Sequence, residues 1–437
     1  MKSLFLSLIL LPVAAVAQQD SSLNQAERFS IHGQTTVVNQ FKPAFKAPYS
    51  GTNSLSPDKE NATSLTSTLY LGTRLWPHAS LYLNPEIAGG SGLSSVLGLG
   101  DATNGETFRV GDPAPKVYLA RLFFQQQFPL TTKRVWQESD QNQLAGFVPE
   151  QYISVTAGKI GVADYFDDNP YSHDPRTQFL SWGLMDNAAW DYAANTRGYT
   201  PSVVLEYVSQ QQEIRYGFSL LPKTANGNIM NWDIGRSHSQ TLEYTRRYSL
   251  SQRAGSLSLL GFYNNAPMGH YRTSIALQPV DPDITASRGP VRHKFGFGIN
   301  AAQELTPALG CFVRASWNDG QNETWAFTEV DHSVSGGVSV EGTLWHRDDD
   351  HAGLAFVTSG LSKEHIDYLN AGGLGFMLGD GKINYGWEKL TELYYSASLL
   401  KHHVYLSGAY QLIVNPGYNK DRNGPVNVFS LRIHTVI

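Results

Sequence analysis

Segment after segment of this chain alternates apolar with polar residues, and that two-residue period restricts the segments to β-strands with two unlike faces. Across 29–41, Phe29, Ile31, Thr35, Val37 and Phe41 share one face while Ser30, His32, Gln34, Thr36 and Gln40 share the other. Across 63–76, Leu65, Leu69, Leu71 and Leu75 oppose Thr66, Thr68, Tyr70 and Arg74, and across 79–88 Leu81, Leu83 and Ile87 oppose Ser80, Tyr82, Asn84 and Glu86. Similar segments fall at 117–128, 151–160, 199–208, 213–221, 239–249, 256–265, 293–304, 309–318, 334–344, 352–359, 390–400, 403–413 and 425–437, sixteen in all. Each is about ten residues long, enough for a tilted strand to cross a bilayer's hydrocarbon layer.

A soluble β-sandwich also alternates, so the connections must separate the two. They alternate in length: 77–78, 209–212, 250–255, 305–308, 345–351 and 401–402 are short, whereas 42–62, 89–116, 161–198, 222–238, 266–292, 319–333, 360–389 and 414–424 are longer. Short turns on one side and long loops on the other predict an all-β transmembrane antiparallel β-barrel of about 16 strands, with short periplasmic turns, long extracellular loops and both ends on the short-turn side. The stretch 129–150 is too long for its place and reads as an insertion. No later segment supplies the roughly 18 uncharged apolar residues of a membrane helix. A mean hydropathy of -0.28 agrees, because only alternate strand residues would touch lipid.

Lys2, the apolar run from Leu4 to Val16 and the small residues Ala15 and Ala17 predict a cleaved secretory signal peptide over 1–17, leaving 18–437 as one barrel. Cys311 is the only cysteine, so an exported fold of this size is not held by internal disulfides, and the residue reads as a small apolar filler. A net charge of -5 with both signs mixed along the chain offers no basic face for nucleic acid. The excess lies in 40 Gly, 22 Tyr, 20 Phe and 9 Trp, which suits the turns and aromatic girdles of a membrane barrel.

If the apolar faces meet lipid, the opposite faces line the lumen. That places Arg74, Glu86, Arg121, Glu206, Arg215, Glu243, Arg314, Glu341, Glu392 and Arg432 inside, with Tyr70, Tyr82, Tyr394 and Tyr405. A lining of both signs pairs donors with acceptors for a neutral polyhydroxylated solute, and the rings can pack on sugar faces. The same charges can equally pair across strands and stiffen the wall.

Asp164, Asp167, Asp168, Asn169 and Asp174 crowd one loop but lack the spacing of a calcium loop and its closing Glu. His346, Asp348, Asp349, Asp350 and His351 fall in a short turn and read as a hydrated surface turn. No metal is expected at either. The chain carries no G-x-S-x-G, H-E-x-x-H or P-loop pattern, and no cofactor or enzymatic activity is expected.

The stretches FKAPYSGTNSLS from Phe45, LYLNPEIAGGSGLS from Leu81, GDPAPKVYLARLFF from Gly111, ADYFDDNPYSHDPRTQFLSW from Ala163 and YQLIVNPGYNKDRNGPVNVFSLRIH from Tyr410 resemble the carbohydrate-selective, OprB-type porins of Gram-negative outer membranes. WNDGQNETWAFTEVD from Trp317 and YLNAGGLGFMLGDG from Tyr368 belong to the same resemblance, which covers nearly all of 18–437. It implies a monomeric or loosely trimeric barrel in outer-membrane lipid that passes sugars and other small polar solutes. It also implies that 161–198 is the constriction, with Asp174, Arg176, Trp182, Trp190 and Arg197 as contacts. Ile437 departs from the aromatic last residue usual in bacterial barrels. A general or cation-selective porin is the alternative reading, and a barrel enzyme acting on lipid a more remote one.

Overall fold

The computed structural model describes residues 26–107 and 114–437; the signal peptide read over 1–17 lies outside the described residues. The strands are β1 (Phe29–Lys42), β2 (Glu60–Trp76), β3 (Ala79–Gly90), β4 (Lys116–Pro129), β5 (Arg134–Gln137), β6 (Gly146–Pro149), β7 (Tyr152–Ile160), β8 (Thr200–Val208) and β9 (Gln212–Leu220). They continue as β10 (His238–Leu250), β11 (Arg253–Ala266), β12 (Arg292–Thr306), β13 (Leu309–Asn318), β14 (His332–Glu341), β15 (His351–Gly360), β16 (Glu388–Leu400), β17 (Val404–Val414) and β18 (Val426–Val436). β5 and β6 make a separate two-stranded sheet, and the other sixteen close into one antiparallel barrel. Every segment read from alternation is one of these sixteen strands.

Closure joins β1 to β18, in register from Gln34 opposite Val436 to Phe41 opposite Phe429. It leaves no open edge, the condition for strands in hydrocarbon, where an unpaired backbone group has no water to bond. Register also sorts the faces. Leu259 on β11 pairs with Ile299 on β12, and both point outward, 49% and 41% exposed. Their neighbours Ser258 and Asn300 pair on the buried inner side. Outward Phe29, Ile31, Leu83, Val203, Leu242, Leu354 and Leu431 repeat this around the wall, an apolar surface suited to lipid. No helix among the described residues is long and apolar enough to cross a membrane.

The lumen is not an open tube. The connection 161–199 runs across it and is buried along most of its length. Gly310 on β13 and Gly353 on β15 make the room: a Cβ on Gly310 would stand 2.0 Å from the Tyr171 ring, and one on Gly353 2.7 Å from that of Phe179. The connection 319–331 adds Trp325, fully buried, and Phe327, whose ring stacks on Trp182 at 4.6 Å.

The insertion at 129–150 also has a structure. It is the β5–β6 hairpin on the short-turn side, and its tip turns back into the barrel mouth, where Leu144 and Ala145 are buried.

Candidate pore constriction

Strand alternation aims the inner residues, and the loops decide which of them still meet water. Glu392 on β16 accepts from the backbone N–H groups of Leu180 and Ser181 at 2.6 and 2.9 Å. Arg432 on β18 donates to the carbonyls of Pro175, Thr177 and Gln178 at 2.7–3.0 Å. Arg314 on β13 donates to the carbonyls of Leu184 and Asp167, and Glu243 on β10 accepts from the Asp167 N–H. These four face inward as alternation requires, but they bond the folded-in loop rather than the aqueous path. The loop's backbone groups would otherwise be buried without partners, so the charged side chains replace the water it lost.

Other inner-face residues are held in the wall. Arg215 lies among Glu206, Glu213 and Glu243 at 3.0, 2.6 and 3.7 Å. Glu86 is buried on β3 and accepts from Thr68 and from the hydroxyls of Tyr118 and Tyr199. Tyr82 stacks on Phe123, Tyr394 meets Phe179 edge-on, and Tyr405 lies beside His434. Arg74 donates to the carbonyls of Glu27 and Ala145, and Glu341 is exposed at the end of β14 next to a short turn.

The remaining candidates converge. A cavity of about 490 Å³ is lined by Tyr70, Arg121, Asp174, Arg176, Trp182 and Arg197, together with Glu106, Asp164, His173 and Tyr199. Arg121 grips Asp164 through two bonds of 2.6 Å and lies over the Tyr199 ring at 4.9 Å. Its Nη1 is buried and has no hydrogen-bond partner among the described residues. Arg176 donates to Glu106 at 2.9 Å and reaches the Tyr70 hydroxyl at 3.4 Å, with Glu86 3.6 Å away. Arg197 covers the Tyr118 ring at 4.1 Å. Trp190, expected as a contact, packs instead among Phe166 and Tyr192 and does not line the cavity.

The electrostatics follow from these pairs. Burial raises the Glu106 carboxyl, with Arg176 opposing it. Burial acts on Asp174 in the same sense, but the Arg176 charge, the Arg176 N–H, His434 and the Thr177 hydroxyl together outweigh it and leave that carboxyl below its ordinary value. Burial would lower His173, yet the Asp186 carboxylate 3.4 Å from its Nδ1 prevails and lifts the imidazole to about 10. At neutral pH the lining therefore carries cations and anions side by side.

The acidic cluster does not gather into one site. Asp164 serves Arg121, Asp167 is held by Arg314, Asn187 and Asn300, and Asp174 accepts from Arg176 N–H and Thr177. In the turn after β14, Asp350 is taken by Arg347, Tyr395 and the Ser398 N–H. Among the described residues no three His, Cys, Asp or Glu side chains are grouped to hold a metal ion.

Sequence reasoning missed Glu106, which enters on the connection 91–107. Gly105 N–H bonds the Leu180 carbonyl at 2.7 Å and Trp182 N–H the Ala102 carbonyl at 2.9 Å, so this loop and 161–199 build the constriction jointly. Its length was visible, but nothing in its residue pattern says that it folds inward.

A closed sixteen-stranded barrel with an apolar outer wall and a polar, loop-narrowed lumen defines an outer-membrane diffusion channel. The family model for the carbohydrate-selective porin, OprB family, matches residues 52–437, and the chain belongs to that family: it is a carbohydrate-selective porin of the outer membrane. Among solved structures, Pseudomonas putida OprB is similar in fold at 15% identity, with a TM-score of 0.69 and 94% of each chain covered. The outer membrane channel DcaP of Acinetobacter baumannii aligns at 9% identity and a TM-score of 0.53, covering 94% of this chain and 97% of its own. Comparison with the curated proteins finds no match.

Proposed function

We propose that the constriction selects small neutral polyols of monosaccharide size by hydrogen bonding, as they diffuse down their gradient without a bond being made or broken. The observation that carries this is the convergence of Arg121, Arg176 and Arg197 with Asp164, Glu106 and Asp174 on one cavity beside the rings of Tyr70, Tyr199 and Trp182. Because Arg121 is paired with Asp164 and Arg176 with Glu106, most of the lining charge is balanced locally and attracts neither ion sign strongly. A sugar hydroxyl, which donates and accepts, can bond to both kinds of group. The rings offer surfaces for the apolar faces of a pyranose.

The charged and aromatic lining comes from one chain, so passage needs no second copy, and a monomer suffices for function. Export by a signal peptide cleaved after Ala17 completes this reading.

Liposome swelling with glucose, a disaccharide, an amino acid and a salt tests it. Glucose should enter fastest, and Arg121→Ala should narrow its lead by roughly tenfold, since a charge-assisted bond is worth about 1.5 kcal/mol or more. Equal rates for all four solutes in the unmodified protein would refute sugar selection.

A further inference from the structure

The β5–β6 hairpin is built differently from the other connections on its side. Those span two or three residues, or nine at 342–350, and carry no strand of their own, whereas this one sends residues 138–145 back into the barrel mouth, against the inner face of β1 to β3. The Gln141 side-chain amide donates to Gln34 Oε1 at 3.0 Å, Asn84 donates to Asn142 Oδ1 at 2.8 Å, and His32 bonds Ser139 at 2.9 Å. Glu27 fixes the returning strand, accepting from Ala145 N–H at 2.8 Å and Ser139 Oγ at 2.7 Å. Arg74 donates to the Ala145 carbonyl at 3.0 Å, and Leu144 is buried in the cluster that holds Tyr82 and Phe123. The tip turns at Asn142, whose φ of 55° is the left-handed conformation that asparagine tolerates.

Gln141 and Asn142 line the same cavity as Arg121 and Arg176, together with Gln34 and Gln125. The cavity thus has two chemistries. Its loop side carries charges and rings, and its hairpin side carries neutral amides, each with a donor and an acceptor.

We propose that the hairpin tip is a second, periplasmic selectivity element, with Gln141 and Asn142 as specificity-determining residues that take over a sugar's hydroxyls as it leaves the arginine side. This rests on the reading of the cavity as a sugar path. A solute entering the amide half exchanges one set of hydrogen bonds for another. The cavity face of the tip is made by the neutral Gln141 and Asn142, while the exposed Glu138 and Asp140 flank them outside the cavity lining, and a second sugar ring meets the tip itself.

Two measurements test it. In a Cys311→Ser background, Gln141→Cys is exposed to a methanethiosulfonate reagent in planar bilayers, with Arg134→Cys, exposed at the hairpin base, as control. Labelling of the Gln141→Cys channel should cut conductance to a small fraction, and labelling of the Arg134→Cys channel should leave it unchanged. In swelling assays, Gln141→Ala with Asn142→Ala should raise the disaccharide-to-monosaccharide rate ratio roughly threefold, the weight of about one hydrogen bond. A labelled Gln141→Cys channel that conducts like the control, or an unchanged rate ratio in the double variant, would overturn the proposal. Failure of the sugar reading itself is seen separately, as equal sugar rates in the unmodified protein, while the conductance block still reports whether the tip stands in the path.

Discussion

His173 shows how a single residue acquires a role that its neighbours in sequence do not announce. Its ring lines the cavity 3.4 Å from Asp186, a residue 13 positions later that the short helix Trp182–Met185 turns back toward it. The folded-state pKa of about 10 exceeds the ordinary 6.5, so this contact's stabilisation is full below pH 6.5 and is lost as pH rises through 10. Raising pH from 7 to 11 should therefore loosen the loop and remove a positive charge from the path. Reversal potentials across a salt gradient should shift toward cation preference over that range, and His173→Gln should lack the component contributed by this group. Arg121 makes a different point: alternation counted back from the outward Leu122 places it inside, a β-bulge at Ala120 takes up the mismatch with the outward Leu119, and only the fold supplies Asp164 and Tyr199 as its partners.

The connection 161–199 behaves as an element although it has little regular secondary structure. It is held by Glu392, Arg432, Arg314 and Glu243, four charges from well-separated strands, and by aromatic rings seated over inward glycines. Its docking should be separable from the barrel, because the ladder hydrogen bonds do not involve it. Glu392→Leu removes the acceptor for two buried N–H groups and should weaken docking by about 3 kcal/mol. Gly353→Phe should displace Phe179 and have a similar effect by overpacking. Both variants should show larger, noisier single-channel currents and faster disaccharide swelling, while the heat-resistant barrel band on a gel persists. Loss of that band with no gain in conductance would mean that loop and wall fold as one unit.

At the scale of the whole molecule, the barrel inverts the arrangement of a soluble protein, with apolar residues outside and charged residues in the centre. Leu259 sits mid-strand on the outer face, so Leu259→Arg should cost about 2–4 kcal/mol in folding into lipid vesicles, read from denaturant titrations. Ser258→Ala, facing inward beside it, should cost far less. An equal cost at both positions would argue against the assigned faces.

Every barrel strand was legible because alternation is local: neighbouring side chains on a strand must point to opposite sides, whatever the rest of the chain does. Connection lengths carried the membrane class for the same reason, as turn and loop sizes are read directly from the spacing of strands. The inner face of Glu392, Arg432, Arg314 and Arg121 was legible too. What the first three touch was not, because their partners lie more than a hundred residues away or on loops without periodicity. The division between charges that hold the loop and charges that meet solute, the entry of Glu106 and the return of 138–145 into the mouth are long-range packing outcomes. Sequence by itself determined a barrel with a polar inner face, while only the tertiary structure decided where that face remains open to water.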